Sequence, residues 1–539
     1  MVHAELFRTE ALVIGGGLAG VRATSALAEA GTSATLVCSG RFPSGASFYP
    51  GTWGLGMVAP RGDAEKEDLV EEIGRVGLGL NKPELTRTLA ERAAAEIARL
   101  EAIGVNLRKS AEPGGVVPCF GAKRMAWSGF DFASAREAFG AMRDLENLRI
   151  MENAELLGLR DAGPGSKAAL LRGSDGAPFV VAAKAIIIAS GGFTTLWGHS
   201  FARESRTALA QEFAARLGCR FVNLEFVQFI PAHLEPALRT IFNERAFSRV
   251  RLEDGEGRAL FADDPAAPEL LRERSTHGPF TTRLLSRAVD FAMFDARSRG
   301  GVFVSYPEEI DREPDTLIRE YFAWFRARMG GKLPGRIGIL HFAHACNGGI
   351  EIDRRGRTCV EGVFACGEAA GGVHGADRIG GLSTVSALVF GAEAGRAAAE
   401  YCAGVDPSDA AALQAMEAPA ARETGQATDA GAAGERAADA GGRARDRARG
   451  EAVLDGILRR LGAAMDEGAS IVRSGAGLGR LEAALDGLES EGEAAGLGAA
   501  DAIRMESRIS FARAVVRAMR ARTGAWGCHN NIGQGEIRP

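Results

Sequence analysis

Residues Ala11-Leu12-Val13-Ile14 form an unbroken apolar run, the pattern of a strand buried on both faces. Gly15-Gly16-Gly17-Leu18-Ala19-Gly20 follows, then a helical stretch from Val21 to Ala30, a stop at Gly31 and a second apolar run from Ala34 to Val37. This order predicts a strand–helix–strand unit at the start of the chain. Residues 62–104 carry apolar positions at helical spacing, among them Leu69, Ile73, Leu85, Leu89, Ile97 and Leu100. Residues 149–188 read as strands, and Ala185 to Ala189 ends in Ser190-Gly191-Gly192. A helix is predicted from Ser205 to Leu217 and a strand from Arg220 to Phe229. Residues 230–343 mix proline, charge and aromatics without that rhythm and read as an inserted second domain. Strand and glycine patterns return at 348–368, and a helix is expected from Leu382 to Tyr401. Residues 404–450 are dominated by Ala, Gly, Arg, Glu and Asp, the composition of a solvated helix or loose connector. Helical periodicity resumes at 452–523, with Leu454, Ile457, Leu458, Leu461 and Met465 on one face.

Composition narrows the classes. The 539 residues are 46% apolar, enough for three or four packed domains and too apolar for global disorder. A net charge of −5 offers no footprint for nucleic acid or an anionic membrane. No apolar run is long enough to span a bilayer, and no basic-then-apolar leader opens the chain, so a cytoplasmic location is expected. The eight cysteines have no C-x-x-C spacing, which argues against a haem attachment, a zinc ribbon or an iron–sulfur cluster within this chain; no metal site is expected. Glycine is abundant, 71 residues or about 13%, roughly twice ordinary usage. It clusters in short loops between apolar runs.

Gly15, Gly17 and Gly20 have the G-x-G-x-x-G spacing at the strand–helix junction. The first suits a tight turn, the second lets a pyrophosphate approach, and the third packs helix on strand. Phosphate would sit on the free N–H groups of the helix start. Simple dinucleotide folds place Asp or Glu after the second strand to hold the ribose; here Cys38 and Ser39 stand there, leaving backbone groups or a hydroxyl to do so.

Several further segments agree on one family. Gly45-Ala46-Ser47-Phe48-Tyr49, Asn223 to Phe229, His344-Ala345-Cys346-Asn347-Gly348-Gly349-Ile350, Gly362 to Glu368, His374-Gly375-Ala376-Asp377-Arg378 and Gly468 to Arg473 stand in the family's order. The chain resembles the flavoproteins of succinate dehydrogenase, fumarate reductase and L-aspartate oxidase, over nearly its whole length. The resemblance implies an α/β fold, a doubly wound FAD-binding domain (1–225 and 345–405) interrupted by a capping domain (226–344) and followed by a helical C-terminal domain (406–539). It implies FAD, held by the glycine loop, Cys38, Ser39, Ser47, Ser190, Gly191, Gly192, Glu368 and Ser383. Respiratory members attach FAD to a His in the loop after the second strand. No His lies between His3 and His199, so non-covalent FAD is expected.

The resemblance also implies that His344 and Arg378 bind a substrate carboxylate, Arg offering a fixed fork of donors. The family meets a second carboxylate with a His before a Pro and a Thr-Glu pair. Here those positions hold Ile230 before Pro231, and Thr240-Ile241, so that end should be apolar or differently polar. The proton donor is expected at Arg283, in Thr281-Thr282-Arg283, with Arg287 as its rival. Ser205-Arg206-Thr207 and Ala525 to His529 also depart from the family pattern. The expected activity is hydride transfer between flavin N5 and a carbon of a small-molecule carboxylate. Two alternatives stay open: an electron-transfer subunit working with an iron–sulfur partner, and a non-catalytic FAD-binding protein.

Overall fold

A computed structural model describes residues 5–48, 51, 54–110, 112, 114–202, 207–406 and 440–532. Tyr49, Ser205-Arg206 and most of the 404–450 connector therefore lie outside the described residues. The central sheet has seven strands. Its parallel part runs in the order Leu148–Met151, Ala34–Val37, Glu5–Ile14, Pro178–Ile188, with Val363–Ala365 beyond. An antiparallel extension, Lys167–Arg172 and Glu155–Asp161, completes it. The predicted apolar runs are the buried strands: Ala11 to Val13 and Ile186 to Ile188 have no exposed surface. Helix Leu18–Glu29 lies against the long helix Leu382–Gly404 on one face. Gly391 and Gly395 are where they meet, since a Cβ at either would strike the carbonyls of Ala19 and Ala23.

Register decides where a ligand can go. Ile14 pairs with Val37 and Ile188, Val37 with Met151, and Ala365 with Ile188. The parallel strands thus all end at one edge, where open α/β sheets bind their ligands. Four of the five ends there open into a loop singled out from sequence: Gly15 to Gly17, Cys38-Ser39, Ser190 to Gly192, and Gly367-Glu368.

The segment between Asn223 and Gly348 builds a separate antiparallel sheet, ordered Val227–His233, Ile337–Cys346, Val302–Ser305, Arg251–Asp254. Its own core includes Phe242, Phe247, Tyr306, Tyr321, Phe322 and Phe325. The strand expected at 220–229 is two pieces, Phe221–Val222 and Val227–His233. Asn223, with φ 61, turns the chain between them and fixes its amide on the Leu80 carbonyl at 2.9 Å. The helix expected from Ser205 is only Ala210–Arg216. Glu155 and Ser507 side chains take the N–H groups of Ala208 and Leu209, holding that segment outside the helix. Among the described residues the C-terminal region holds the helices Ala440–Gly468, Gly475–Ala494 and Ala499–Ala521, followed by a hairpin, Gly524–Trp526 and His529–Ile532. Leu454, Ile457, Leu461 and Met465 are its buried face.

Candidate active site

At the strand edge the glycines have distinct jobs. Gly15 has φ 119, and a Cβ there would lie 2.3 Å from the Ala189 carbonyl oxygen. A Cβ on Gly20 would lie 1.9 Å from the Gly15 carbonyl, so the third glycine packs the helix onto the turn itself. Gly17 is the N-cap of helix Leu18–Glu29 and supplies no side-chain cap. The Ser47 hydroxyl reaches the Leu18 N–H at 3.4 Å. The other N–H groups of the first turn are therefore left for an anion. Cys38 does not offer its thiol to a ribose: it is buried, with Sγ 3.1 Å from the Gly40 carbonyl, and burial pushes its pKa up to about 11. Ser39 beside it is exposed, as are Ser190 and Ser383.

Glu368 accepts the Cys346 N–H at 2.8 Å and lies against Gly192, where a Cβ would come within 2.5 Å of its Oε1. Burial raises its pKa, while Arg378 works in the opposite sense. Helix Leu382–Gly404 starts beyond Gly381 (φ 82), again with no side-chain cap. Nearby, the side-chain amides of Gln228 and Asn347 are buried with no hydrogen-bond partner among the described residues. Unsatisfied buried amides are costly. Open helix starts, glycine-lined backbone and waiting amides fit a large polar cofactor such as FAD.

The cationic part lies where the cap meets this edge. Arg378 is buried, yet its guanidinium contacts only the Ile379 carbonyl at 3.3 Å, and Nε has no partner among the described residues. Desolvation lowers its pKa. His344 is neutral, held down to about 3 by burial first and by Arg378 second. His374 is held at about 3 for the same reasons. His344 meets the Phe201 ring edge-on at 5.6 Å. Phe201 in turn belongs to an apolar cluster with Ile230, Ala232 and Phe342, packed by Ile241 and Leu340. The two isoleucines thus sit in hydrocarbon beside the His344 strand. His233 is remote from this chemistry: it is sealed among Phe242, Tyr306 and Phe325, with Nε2 on the Tyr306 hydroxyl.

Arg283 and Arg287 are separated by their partners. Arg283 donates Nε–H to Asp377 Oδ2 at 2.7 Å and lies over the Phe120 ring at 5.0 Å. Arg287 instead donates to the Thr282 carbonyl at 2.8 Å, bracing the backbone of the segment. Behind them a buried network fixes the loop. Arg274 pairs with Asp290 through both limbs of its fork, at 2.9 and 3.0 Å, and donates to the Gly278 carbonyl. His341 reaches Asp290 at 2.8 Å, and His277 joins the Pro279 carbonyl to the Ser286 hydroxyl. Phe120 (φ 66) stacks on His277, 5.1 Å between centroids. Sequence reading missed Phe120, Asp377 and this network. Asp377 was the unassigned position of His-Gly-Ala-x-Arg; nothing in the local pattern marks the others.

A dinucleotide edge facing an unpaired buried cation under a cap is an arrangement for redox chemistry, that of a flavin-dependent oxidoreductase. The chain belongs to the FAD-binding flavoprotein family of succinate dehydrogenase, fumarate reductase and L-aspartate oxidase; the model of that family's FAD binding domain matches residues 10–384. L-aspartate oxidase of Caulobacter vibrioides is 28% identical over 444 residues, 78% of this chain and 83% of the relative. A component of the CoM/CoB fumarate reductase of Methanothermobacter marburgensis is 27% identical over 428 residues, 74% of each chain. In fold, the chain matches E. coli quinol fumarate reductase FrdA with a TM-score of 0.74 at 18% identity, over 99% of this chain and 93% of that one. The cofactor is FAD, and the chain is an FAD-dependent oxidoreductase. Among the described residues no helix is long and apolar enough to cross a membrane.

Proposed function

We propose that this chain transfers a hydride between flavin and a carbon neighbouring the carboxylate-bearing carbon of a substrate with one carboxylate and an apolar far end. The carrying observation is the buried Arg378 guanidinium with no carboxylate partner among the described residues, acting on a His344 that meets an apolar cluster built on Ile230 and packed by Ile241. Bound FAD supplies the hydride donor or acceptor. The glycine loop, Ser39, Ser47, Ser190 to Gly192, Glu368 and Ser383 hold it non-covalently, with the uncapped start of helix Leu382–Gly404 favouring negative charge on the reduced ring. Arg378 receives the carboxylate through its planar fork, and neutral His344 donates a second hydrogen bond. Both contacts strengthen as charge develops on the carboxylate side, which lowers the barrier. Arg283 moves the proton at the neighbouring carbon. Ile230 and Ile241 cannot satisfy a second carboxylate, whose unpaired burial costs several kcal/mol, a factor of about a thousand or more in binding.

Anaerobic flavin bleaching by saturated acids, and reoxidation of reduced flavin by unsaturated ones, tests this. Monocarboxylates such as crotonate should outrun fumarate and succinate; efficient fumarate turnover would refute the substrate class. Arg283→Lys should slow the chemical step and Arg287→Lys should do little; the reverse result would move the proton donor to Arg287. A second reading, with electrons passed to a separate cluster-bearing chain, is favoured by the Methanothermobacter relative, which is one component of a larger fumarate reductase. It predicts that artificial dyes, rather than oxygen, support turnover of the isolated protein.

A further inference from the structure

Two Arg–Asp pairs in this chain invite comparison. In Arg274–Asp290 the fork is complete: Nε meets Oδ2 at 2.9 Å and Nη2 meets Oδ1 at 3.0 Å, with both side chains fully buried. In Arg283–Asp377 one limb alone is made. Nε meets Oδ2 at 2.7 Å, whereas Arg283 Nη2 and Asp377 Oδ1 are both buried and without a hydrogen-bond partner among the described residues. Oδ2 also accepts the Thr281 hydroxyl at 2.7 Å. Oδ2 thus carries two side-chain donors, while Oδ1 closes no hydrogen bond of good geometry among the described residues, the Cys528 N–H approaching the carboxyl but donating to the Ala376 carbonyl. A bare buried carboxylate oxygen is costly unless it holds a proton.

We propose that Asp377 is a positioning residue that holds a proton for Arg283, the open limb of the fork being the route by which it is returned. This rests on Arg283 as the proton donor. When an Arg283 N–H bond breaks and a C–H bond forms on the substrate, the guanidine is left neutral with a lone pair. The Asp377 O–H bond then breaks, its proton goes to that nitrogen, and the guanidinium is restored beside a carboxylate. Water supplies the next proton to Asp377. Substrate oxidation runs the same transfers backwards.

The surroundings favour a carboxyl that keeps its proton. Asp377 faces Arg283 and Thr281 from the cap, its neighbour Arg378, and Cys528 from the C-terminal hairpin, whose thiol burial keeps protonated. Burial is the largest influence and raises the Asp377 pKa to about 6, against the pull of Arg283, the Thr281 hydroxyl and the Cys528 backbone N–H. Among the described residues the Arg283 side chain otherwise rests on the Phe120 ring, with His277 stacked on that ring and held near 3 by burial, so His277 carries no proton to give near neutral pH.

The FAD-loaded protein tests this without a substrate. Infrared titration should show a protonated carboxyl band that disappears as pH rises through about 6, absent from Asp377→Asn and moved upward in pH by Thr281→Val, which removes one Oδ2 donor. In turnover, using crotonate as acceptor for the reduced flavin, the wild-type rate should fall above pH 6. Asp377→Asn keeps the Arg283 hydrogen bond through its amide oxygen. It should keep FAD and KM, lose that limb, and turn over on the order of a hundredfold more slowly. If Asp377→Asn shows the wild-type rate and pH profile, or Thr281→Val leaves the band unmoved, the proposal is overturned. Arg283→Gln separates the two ideas: full activity there defeats Arg283 as donor, whereas an inactive Arg283→Gln beside a wild-type Asp377→Asn defeats the proton store alone.

Discussion

Arg378→Met trades binding for stability, and the structure sets both signs. The wild-type guanidinium is buried, makes one 3.3 Å contact to its neighbour's carbonyl, and has no carboxylate within ion-pair distance among the described residues. Burial of an ion costs several kcal/mol after relaxation, and replacing buried ionic groups by apolar ones of similar volume can stabilise by about 1–4 kcal/mol. In carboxylate-free buffer, Arg378→Met should therefore raise the denaturant midpoint of the FAD-loaded protein. A bound carboxylate reverses the ranking. At one hundred times its dissociation constant it adds about 2.7 kcal/mol to the wild type and nothing to the variant. The assay is a pair of urea titrations, without and with crotonate, followed by flavin fluorescence and far-UV dichroism. Arg378→Lys keeps the charge but loses the fork. It should retain FAD while slowing turnover on the order of a hundredfold, about 2.7 kcal/mol. If Arg378→Met destabilises the protein in carboxylate-free buffer by more than about 2 kcal/mol, Arg378 is a structural ion whose partners matter in the resting fold, and the carboxylate reading fails.

Acid precipitation should release all flavin to the supernatant; yellow colour retained on the pellet would contradict non-covalent attachment. Stability should fall as pH drops from 6.5 towards 5. The buried His233, His277, His374 and His529 are all held near 3, so the unfolded chain gains protons that the folded one refuses. Each adds up to about 1.4 kcal/mol per pH unit, partly offset by the raised carboxyls Glu155, Glu368 and Asp377; a flat midpoint over that range would refute the neutral-histidine picture. Arg274→Ala leaves Asp290 buried with His341 as its remaining side-chain partner. It should cost about 3–5 kcal/mol by chemical denaturation. A loss under 1 kcal/mol would mean the loop is held by packing instead.

The parallel strands, the glycine turn and the two helices that cross it were legible because each is written in contiguous residues: an apolar run, a stop, a repeat every three or four positions. Arg378 and His344 were singled out through the motifs around them, and the fold places the two close enough for Arg378 to depress the His344 pKa. The segment before Ala210 was misjudged because its fate is decided by Glu155 and Ser507, far along the chain. Cys38 stood at the ribose position by spacing, yet its side chain turns under the loop, which spacing cannot reveal. Arg283 and Arg287 were indistinguishable as letters; their different partners, Asp377 and the Thr282 carbonyl, exist only after the cap has folded onto the sheet edge. The half-made fork at Asp377 is a property of two segments nearly a hundred residues apart.

The carbonyl of Gly527, in the C-terminal hairpin, receives both the N–H and the hydroxyl of Thr282, at 2.8 and 3.0 Å. Thr282 is the residue before Arg283. The hairpin therefore acts as a guy-rope on the cap: the segment carrying Arg283 cannot swing outward unless it breaks both bonds or drags the hairpin and the helices behind it. Removing the C-terminal hairpin, or replacing Gly527 and its neighbours with a flexible linker, would slacken that tether. It would register as a kinetic defect in protein that still folds and still turns yellow.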